Sequence, residues 1–283
     1  MRHHFHVQFS AGTRALAGLG VVLAAGVVLL AVIGHEPATL ALAAVLAATT
    51  PALIALAWHR LRTLHHHAQR HAESAEEAQR HYFMVLCEVM TVLERRDPRL
   101  VGRSERIAQL VAQLAPRLGL PAAQAELLTM IARVHDIGLL SVNPQVLSKP
   151  TGLNGPEFNA VKDHCLVGVG ILQPLTFLHP VLGAVRSHHE RMNGTGYPEG
   201  LRGEAIPLEA RLLAVADSFD AMTHDRPHRP TLSTRQAVTE LIRCAGNGYD
   251  EACIKALAAV MRVEDLLAPP APVESATEVL QTV

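Results

Sequence analysis

The sequence predicts an all-α protein: a helical bundle domain preceded by a two-helix transmembrane hairpin. Three observations carry that expectation. Two uncharged apolar runs fill most of the first sixty residues. Beyond them, apolar residues recur at three-to-four spacing, the period of a helix face. No stretch alternates convincingly with period two, so strands should be few or absent.

The 283 residues leave room for one globular domain plus appendages. Residues 1–14 form a short N-terminal segment carrying Arg2 and Arg14. Residues 15–34 then run twenty residues without a charge, and residues 37–58 another twenty-two. Each run is long enough to span a hydrocarbon core of roughly 30 Å. The intervening Gly34-His35-Glu36-Pro37 has no Lys or Arg, whereas Arg60 and Arg62 follow the second run. The positive-inside rule therefore puts both ends in the cytoplasm, with the chain in the inner (cytoplasmic) membrane. Trp58 suits the interfacial belt. A cleaved signal peptide would account for the first run but not for the second.

Residues 59–81 change character, with His65-His66-His67, His71, Glu73, Glu76, Glu77 and Arg80 and no Pro or Gly. They predict a polar helical linker leaving the membrane and pairing with a second copy to make a homodimer. The histidine run reads as a solvated helix face, because no carboxylate or Cys arrangement completes a metal site there.

Residues 82–267 are expected to form the helical domain. Leu86, Val89, Met90 and Leu93 share one spacing, as do Ile107, Leu110, Val111 and Leu114. Pro116 and Gly119-Leu120-Pro121 mark breaks. An apolar helix over 127–134 should end in His135-Asp136. Further helices are expected at 156–172, 180–189, 208–223, 233–245 and 251–262. The Pro-rich tail, 268–283, is expected to be disordered.

Composition narrows the function. A net charge of -1 and a pI near 7.0 give no basic field for a nucleic-acid polymer. The four cysteines, Cys87, Cys165, Cys244 and Cys253, form no CxxC pair and read as buried apolar residues or idle thiols. The chemical signal is instead a set of polar residues inside apolar helices: His135-Asp136, His164, His188-His189 and Asp217. Such carboxylates are costly to bury unless paired or bound to metal. Imidazoles with carboxylates suit a divalent transition metal, particularly iron, manganese or zinc. A two-metal site activates water and clamps the oxygens of an in-line phosphoryl displacement.

The stretch His135-Asp136-Ile137-Gly138 resembles the signature of the HD-superfamily phosphohydrolases. The run from His188-His189-Glu190-Arg191 through Asn193-Gly194-Thr195-Gly196-Tyr197-Pro198 resembles the core of the HD-GYP subfamily. Gly200-Leu201-Arg202-Gly203, Ile206-Pro207, Ala210-Arg211, Ala216-Asp217-Ser218-Phe219-Asp220-Ala221 and Arg226-Pro227 extend the likeness across most of the chain beyond the membrane segment. The resemblance implies an HD-type helical bundle and a phosphodiesterase that opens the bacterial messenger cyclic di-GMP. It also implies two divalent ions, iron or manganese, with His135, Asp136, His164, His188, His189 and Asp217 as ligands. Asp136 would bridge the ions, and His135-Asp136 would be the catalytic pair. Arg226 would contact a substrate phosphate, a role that suits the guanidinium fork.

The chain departs from that pattern at three places. Arg103 stands where the family carries a further metal-binding His, and a guanidinium can only repel a cation. Arg99 supplies no carboxylate either. Leu139 replaces the Lys that follows the signature, and His228 replaces a Tyr. Weak or conditional hydrolysis is therefore expected, with the second metal held less tightly. The alternative is a catalytically inactive module that binds a cyclic dinucleotide or a partner, with Arg103 itself holding a phosphate. A third reading is a hydrolase for another phosphate substrate, and the bland reading of Arg103 has it pointing to solvent.

Overall fold

The computed structural model describes residues 18, 20–22, 25–29, 32–33, 36–97, 100–149, 151–224 and 231–267. Among these residues the structure is helical, with two isolated bridges, Asn193 to Arg202 and Ala245 to Tyr249, and no strand. The chain divides into two compact units, Met1–Ala78 and Gln79–Val283.

In the first unit, the described residues of the predicted first span are helical. The remainder of that span and the 34–35 turn lie outside the described residues. Helix α1 runs Pro37–Glu94, 58 residues without interruption. Pro37 opens it where a missing N–H costs nothing. Its apolar stretch has a mean hydropathy of 2.2 and is only 6% buried, so it is long and apolar enough to cross a membrane. Pro51 lies inside it, and the neighbouring Thr49 and Thr50 hydroxyls donate to the Val45 and Leu46 carbonyls. The second span, the polar linker and the first helix of the domain were expected as separate pieces. They are one helix, because nothing between residues 52 and 94 breaks the backbone ladder.

The second unit begins with the last turns of α1, where Phe83, Leu86 and Met90 are buried. Helices α2 (Arg103–Leu114) and α3 (Ala122–Ala132) pack on each other, α2 burying Ile107, Ala108, Val111 and Leu114 along one stripe. A short 3-10 segment, Ile137–Ser141, leads to α4 (Pro144–Leu147), α5 (Gly155–Lys162) and α6 (His164–Leu172). Helices α7 (Leu182–Ser187), α8 (Leu208–Thr223), α9 (Thr234–Arg243) and α10 (Glu251–Met261) complete the bundle. Helix α8 lies at the centre: Leu212, Leu213, Val215 and Ala216 are fully buried, and α2, α7, α9 and α10 all pack on it. Cys165 and Cys253 are buried free thiols.

Two helix boundaries differ from expectation. The helix expected over 156–172 is two, parted at Asp163, where the His164 ring takes the Val161 carbonyl that the next turn would use. The helix before His135-Asp136 ends at Ala132, so both residues sit in the turn beyond it. The 268–283 tail lies outside the described residues.

Candidate metal centre

Three histidines occupy equivalent local positions. His135, His164 and His188 each follow the end of a helix, α3, α5 and α7, where the last carbonyls have no intrahelical partner. Each imidazole donates from Nδ1 to the carbonyl three residues earlier: Ala132 at 2.8 Å, Val161 at 2.5 Å and Val185 at 2.8 Å. That bond orients the ring and leaves Nε2 facing the centre.

The three Nε2 atoms converge on Asp136. His135 Nε2 lies 3.3 Å from Asp136 Oδ2, and His164 and His188 Nε2 lie 3.4 and 3.6 Å from Oδ1. The His189 ring stands 4.0 Å from that of His188 and 5.1 Å from that of His164, between centroids. Asp217 brings Oδ1 to 3.7 Å from His135 Nε2. Thus the six residues expected as ligands gather at one place. Arg226, expected at a substrate phosphate, and His228 lie outside the described residues.

The donor set fits a metal ion on the structure's own terms. The Nε2 atoms of His135 and His188 are buried and have no hydrogen-bond partner among the described residues, a costly condition unless something occupies the space between them. Two groups of ligand atoms lie within 4.8 Å of one another: His135, Asp136 and His188, and His164, Cys165, His188 and His189. Electrostatics point the same way. Burial opposes a charge on His135 and His164, but the Asp136 carboxylate outweighs it and raises both to about 10. Burial likewise opposes the Asp136 charge, yet His135 first and then the His164 and His188 imidazoles facing it hold the carboxyl well below its usual range. Burial pushes His188 and His189 down, keeping them neutral. The carboxylate thus demands positive charge from its surroundings, which a proton or a metal ion can supply.

Arg103 faces inward rather than to solvent. Its Nη2 donates to Asp217 Oδ1, and Nη1 lies 3.7 Å from Asp220 Oδ2. Arg106 grips Asp220 with two bonds, 2.7 and 3.2 Å. Burial opposes the Asp217 charge, but the Arg103 guanidinium and then His135 hold its carboxyl below the usual range.

Two glycines let the centre close. A Cβ on Gly138 would come 1.9 Å from the His164 carbonyl, so only glycine lets the His-Asp turn lie against α6. A Cβ on Gly196 would meet Glu190 Cα at 2.4 Å, so the Gly196-Tyr197 segment passes tightly against the His189-Glu190 backbone. Tyr197 then stacks on His189, 4.8 Å between centroids. Several participants escaped the sequence reading. Cys165 Sγ lies 3.6 Å from His164 Nε2, although the cysteines read as idle. Glu190 is 2% exposed and accepts from the backbone of Glu199, Gly200 and Leu201 at 2.7, 3.0 and 3.1 Å. Lys162 places Nζ 4.6 Å from the Phe158 ring centroid and 5.7 Å from that of Tyr197. Their only sequence signal was position within two residues of a histidine.

Comparison with known proteins adds the following. The HD domain family model matches residues 88–253. The chain is 35% identical over 191 residues to the cyclic di-GMP phosphodiesterase response regulator RpfG of Xanthomonas campestris, covering 67% of this chain and 50% of that protein. It is 33% identical over 190 residues to a cyclic di-GMP phosphodiesterase of Thermotoga maritima, covering 65% and 52%. It is 32% identical over 166 residues to the 3'3'-cGAMP-specific phosphodiesterase 3 of Vibrio cholerae, covering 59% and 36%. The chain therefore spans about half or less of the length of these relatives.

Proposed function

The chain belongs to the HD-domain family, in its HD-GYP branch, and on that premise we propose that it is a membrane-anchored, metal-dependent phosphodiesterase that opens a cyclic dinucleotide, cyclic di-GMP foremost. The observation that carries this reading is the convergence of three carbonyl-anchored imidazoles on Asp136.

Asp136, His164, His188 and His189 would hold a divalent ion, iron or manganese, with His135 and Asp217 beside them. When bound, the ion supplies Lewis acidity toward a water and a phosphodiester oxygen. The rest falls to the chain. The Nδ1 bonds set the imidazole planes before anything binds, so the donors are preorganised. The side chains of Asp136 and Asp217 keep 15% and 12% of their surface exposed, which leaves a phosphodiester an approach from one side. Arg226 is assigned a phosphate contact, for which its planar fork is suited.

Hydrolysis is slow or conditional in this proposal. Arg103 takes the place of a ligand, and half-buried Leu139 that of a cation. Lost transition-state contacts of that kind cost on the order of several kcal/mol. A second reading, an inactive cyclic-dinucleotide-binding module, is favoured by the Arg103–Asp217 ion pair, which occupies a would-be ligand.

The test uses the full chain in detergent, supplied anaerobically with Mn2+ or Fe2+ and with cyclic di-GMP and 3'3'-cGAMP in parallel. The expected result is slow, metal-dependent release of a linear dinucleotide, lost together with bound metal in His188→Ala. Binding without turnover selects the module. Full metal content in both His188→Ala and Asp136→Ala would overturn the ligand assignment. The membrane placement rests on α1 and its flanking charges. Reporters fused after Met1 and after Arg80 should be cytoplasmic and one at His35 external, and an external reporter after Arg80 would overturn it. Pairing of two copies through residues 59–81 should give a crosslinked dimer from a cysteine placed at Ala72.

A further inference from the structure

The carboxylates of the centre differ in what already neutralises them. Asp217 accepts from Arg103 Nη2, and the Arg103 side chain is only 13% exposed. Asp220 is held by Arg106 Nε at 2.7 Å and Nη2 at 3.2 Å, with His224 Nδ1 at 3.1 Å. These two carboxylates and two guanidinium groups balance. Among the described residues no guanidinium lies within ion-pair distance of Asp136; the imidazoles of His135, His164 and His188 face it instead.

The oxygens repeat the division. Asp217 Oδ1, the atom Arg103 bonds, is also the atom 3.7 Å from His135 Nε2. An ion joining Asp217 Oδ1 to His135 would need ligand distances of about 2.0–2.2 Å. It would then share that oxygen with a guanidinium that cannot lose its proton. Among the described residues no such cation pairs with the other side of Asp136, where Oδ1 faces His164 and His188 and the His189 ring lies alongside. Arg103 is also held at its base. It opens α2, its backbone N–H donates to Leu100 O at 3.0 Å, and the next residue, Ser104, is bound by buried Glu94.

We propose that the centre takes one divalent ion, held by Asp136, His164, His188 and His189, and that the Arg103 guanidinium is a permanent protein cation over Asp217 and His135 where a second ion would otherwise sit. This rests on the metal-centre reading above and deepens it. The centre keeps positive charge on both sides of Asp136, but one of the two charges cannot be chelated, exchanged or oxidised.

The experiment counts ions rather than turnover. The full chain in detergent is stripped with chelator and titrated with Mn2+, bound metal is measured by mass spectrometry, and the spin state is read by electron paramagnetic resonance. One equivalent with the spectrum of an isolated Mn2+ is expected for the wild type. Arg103→Lys, which keeps the charge, should also bind one. Arg103→His should bind a second equivalent and show the spectrum of a spin-coupled pair. Should Arg103→His not fold, Asp217→Asn decides: it should retain the single ion, because Asp217 is committed to Arg103, and its loss would overturn the proposal. Two equivalents in the wild type would overturn it as well, leaving the metal-centre reading intact. No bound Mn2+ or Fe2+ in the wild type would overturn that underlying reading and this one with it.

Discussion

Glu94 at the end of α1 binds Ser104 near the start of α2: its Oε1 accepts from the Ser104 backbone N–H at 2.7 Å and from the Ser104 hydroxyl, while Oε2 accepts from Gly102 N–H at 2.9 Å. Both residues are buried. The first N–H groups of a helix have no internal partner, and a carboxylate there also meets the favourable end of the helix dipole. Arg103 lies between the two donors, so this clamp fixes the backbone from which the guanidinium reaches Asp217. Glu94→Ala leaves buried donors without an acceptor and should destabilise the second unit by about 2–3 kcal/mol. Chemical denaturation of the full chain in detergent checks this, and an unchanged midpoint would show the clamp to be dispensable.

Glu190 plays a similar part on the other side of the centre. Its carboxylate gathers the backbone N–H groups of residues 199–201 and so holds the loop that carries Tyr197. Glu190→Ala should cost on the order of 3 kcal/mol, since each buried orphan donor carries its own penalty. Amide hydrogen exchange at Glu199, Gly200 and Leu201 should accelerate well beyond that in α9. Equal protection in wild type and variant would contradict the assignment.

Gly138→Ala drives a methyl group into the His164 carbonyl, a contact with backbone that no rotamer change relieves. Destabilisation by about 3 kcal/mol is expected, along with weaker metal binding, because Asp136 and His164 lie on opposite sides of the contact. Gly170→Ala is the control. It lies in α6 with open space around its Cβ position, and should stabilise by up to about 1 kcal/mol. Thermal melts of the two variants should therefore move in opposite directions.

Asp250 supplies a pH test away from the candidate metal centre. Burial opposes its charge, but the Cys253 N–H at 3.0 Å and Arg211 Nη1 at 2.5 Å hold its carboxyl below the ordinary value of 3.8. A depressed folded value means that the ionised form stabilises the fold. The contribution is complete above the unfolded value and disappears as pH falls through the folded one. Asp250→Asn should thus be less stable than wild type at neutral pH, and the gap should close in strong acid. A gap that stayed constant from pH 7 down to pH 2 would exclude this linkage.

Much of the centre was legible because its signals are local. His135-Asp136, His164, His188-His189 and Asp217 stood out as polar residues in apolar surroundings, and their gathering depends on helices whose 3.6-residue period is visible in sequence. Helix 208–223 was placed at its true bounds for the same reason. The division of 156–172 was not visible, because it turns on the His164 ring taking a carbonyl, and residue identity does not report the rotamer. The run from Pro37 to Glu94 looked like three segments because its composition changes twice, but composition governs a helix's surroundings and not its backbone bonds.

By itself the sequence determined the helical class, the apolar length sufficient for a membrane span, the ligand-type residues and the presence of an arginine where a histidine was expected. Each of these follows from residue chemistry and short-range spacing. Only the tertiary structure decided which way that arginine turns. Arg103 and Asp217 are 114 residues apart, so no periodicity relates them. Their pairing requires α2 and α8 to pack side by side with Ser104 already held by Glu94. The same packing brought the imidazoles of His135, His164 and His188 to face Asp136. Charge balance at a buried site is set by three-dimensional distance, since the energy of each pair depends on separation and burial and not on order along the chain.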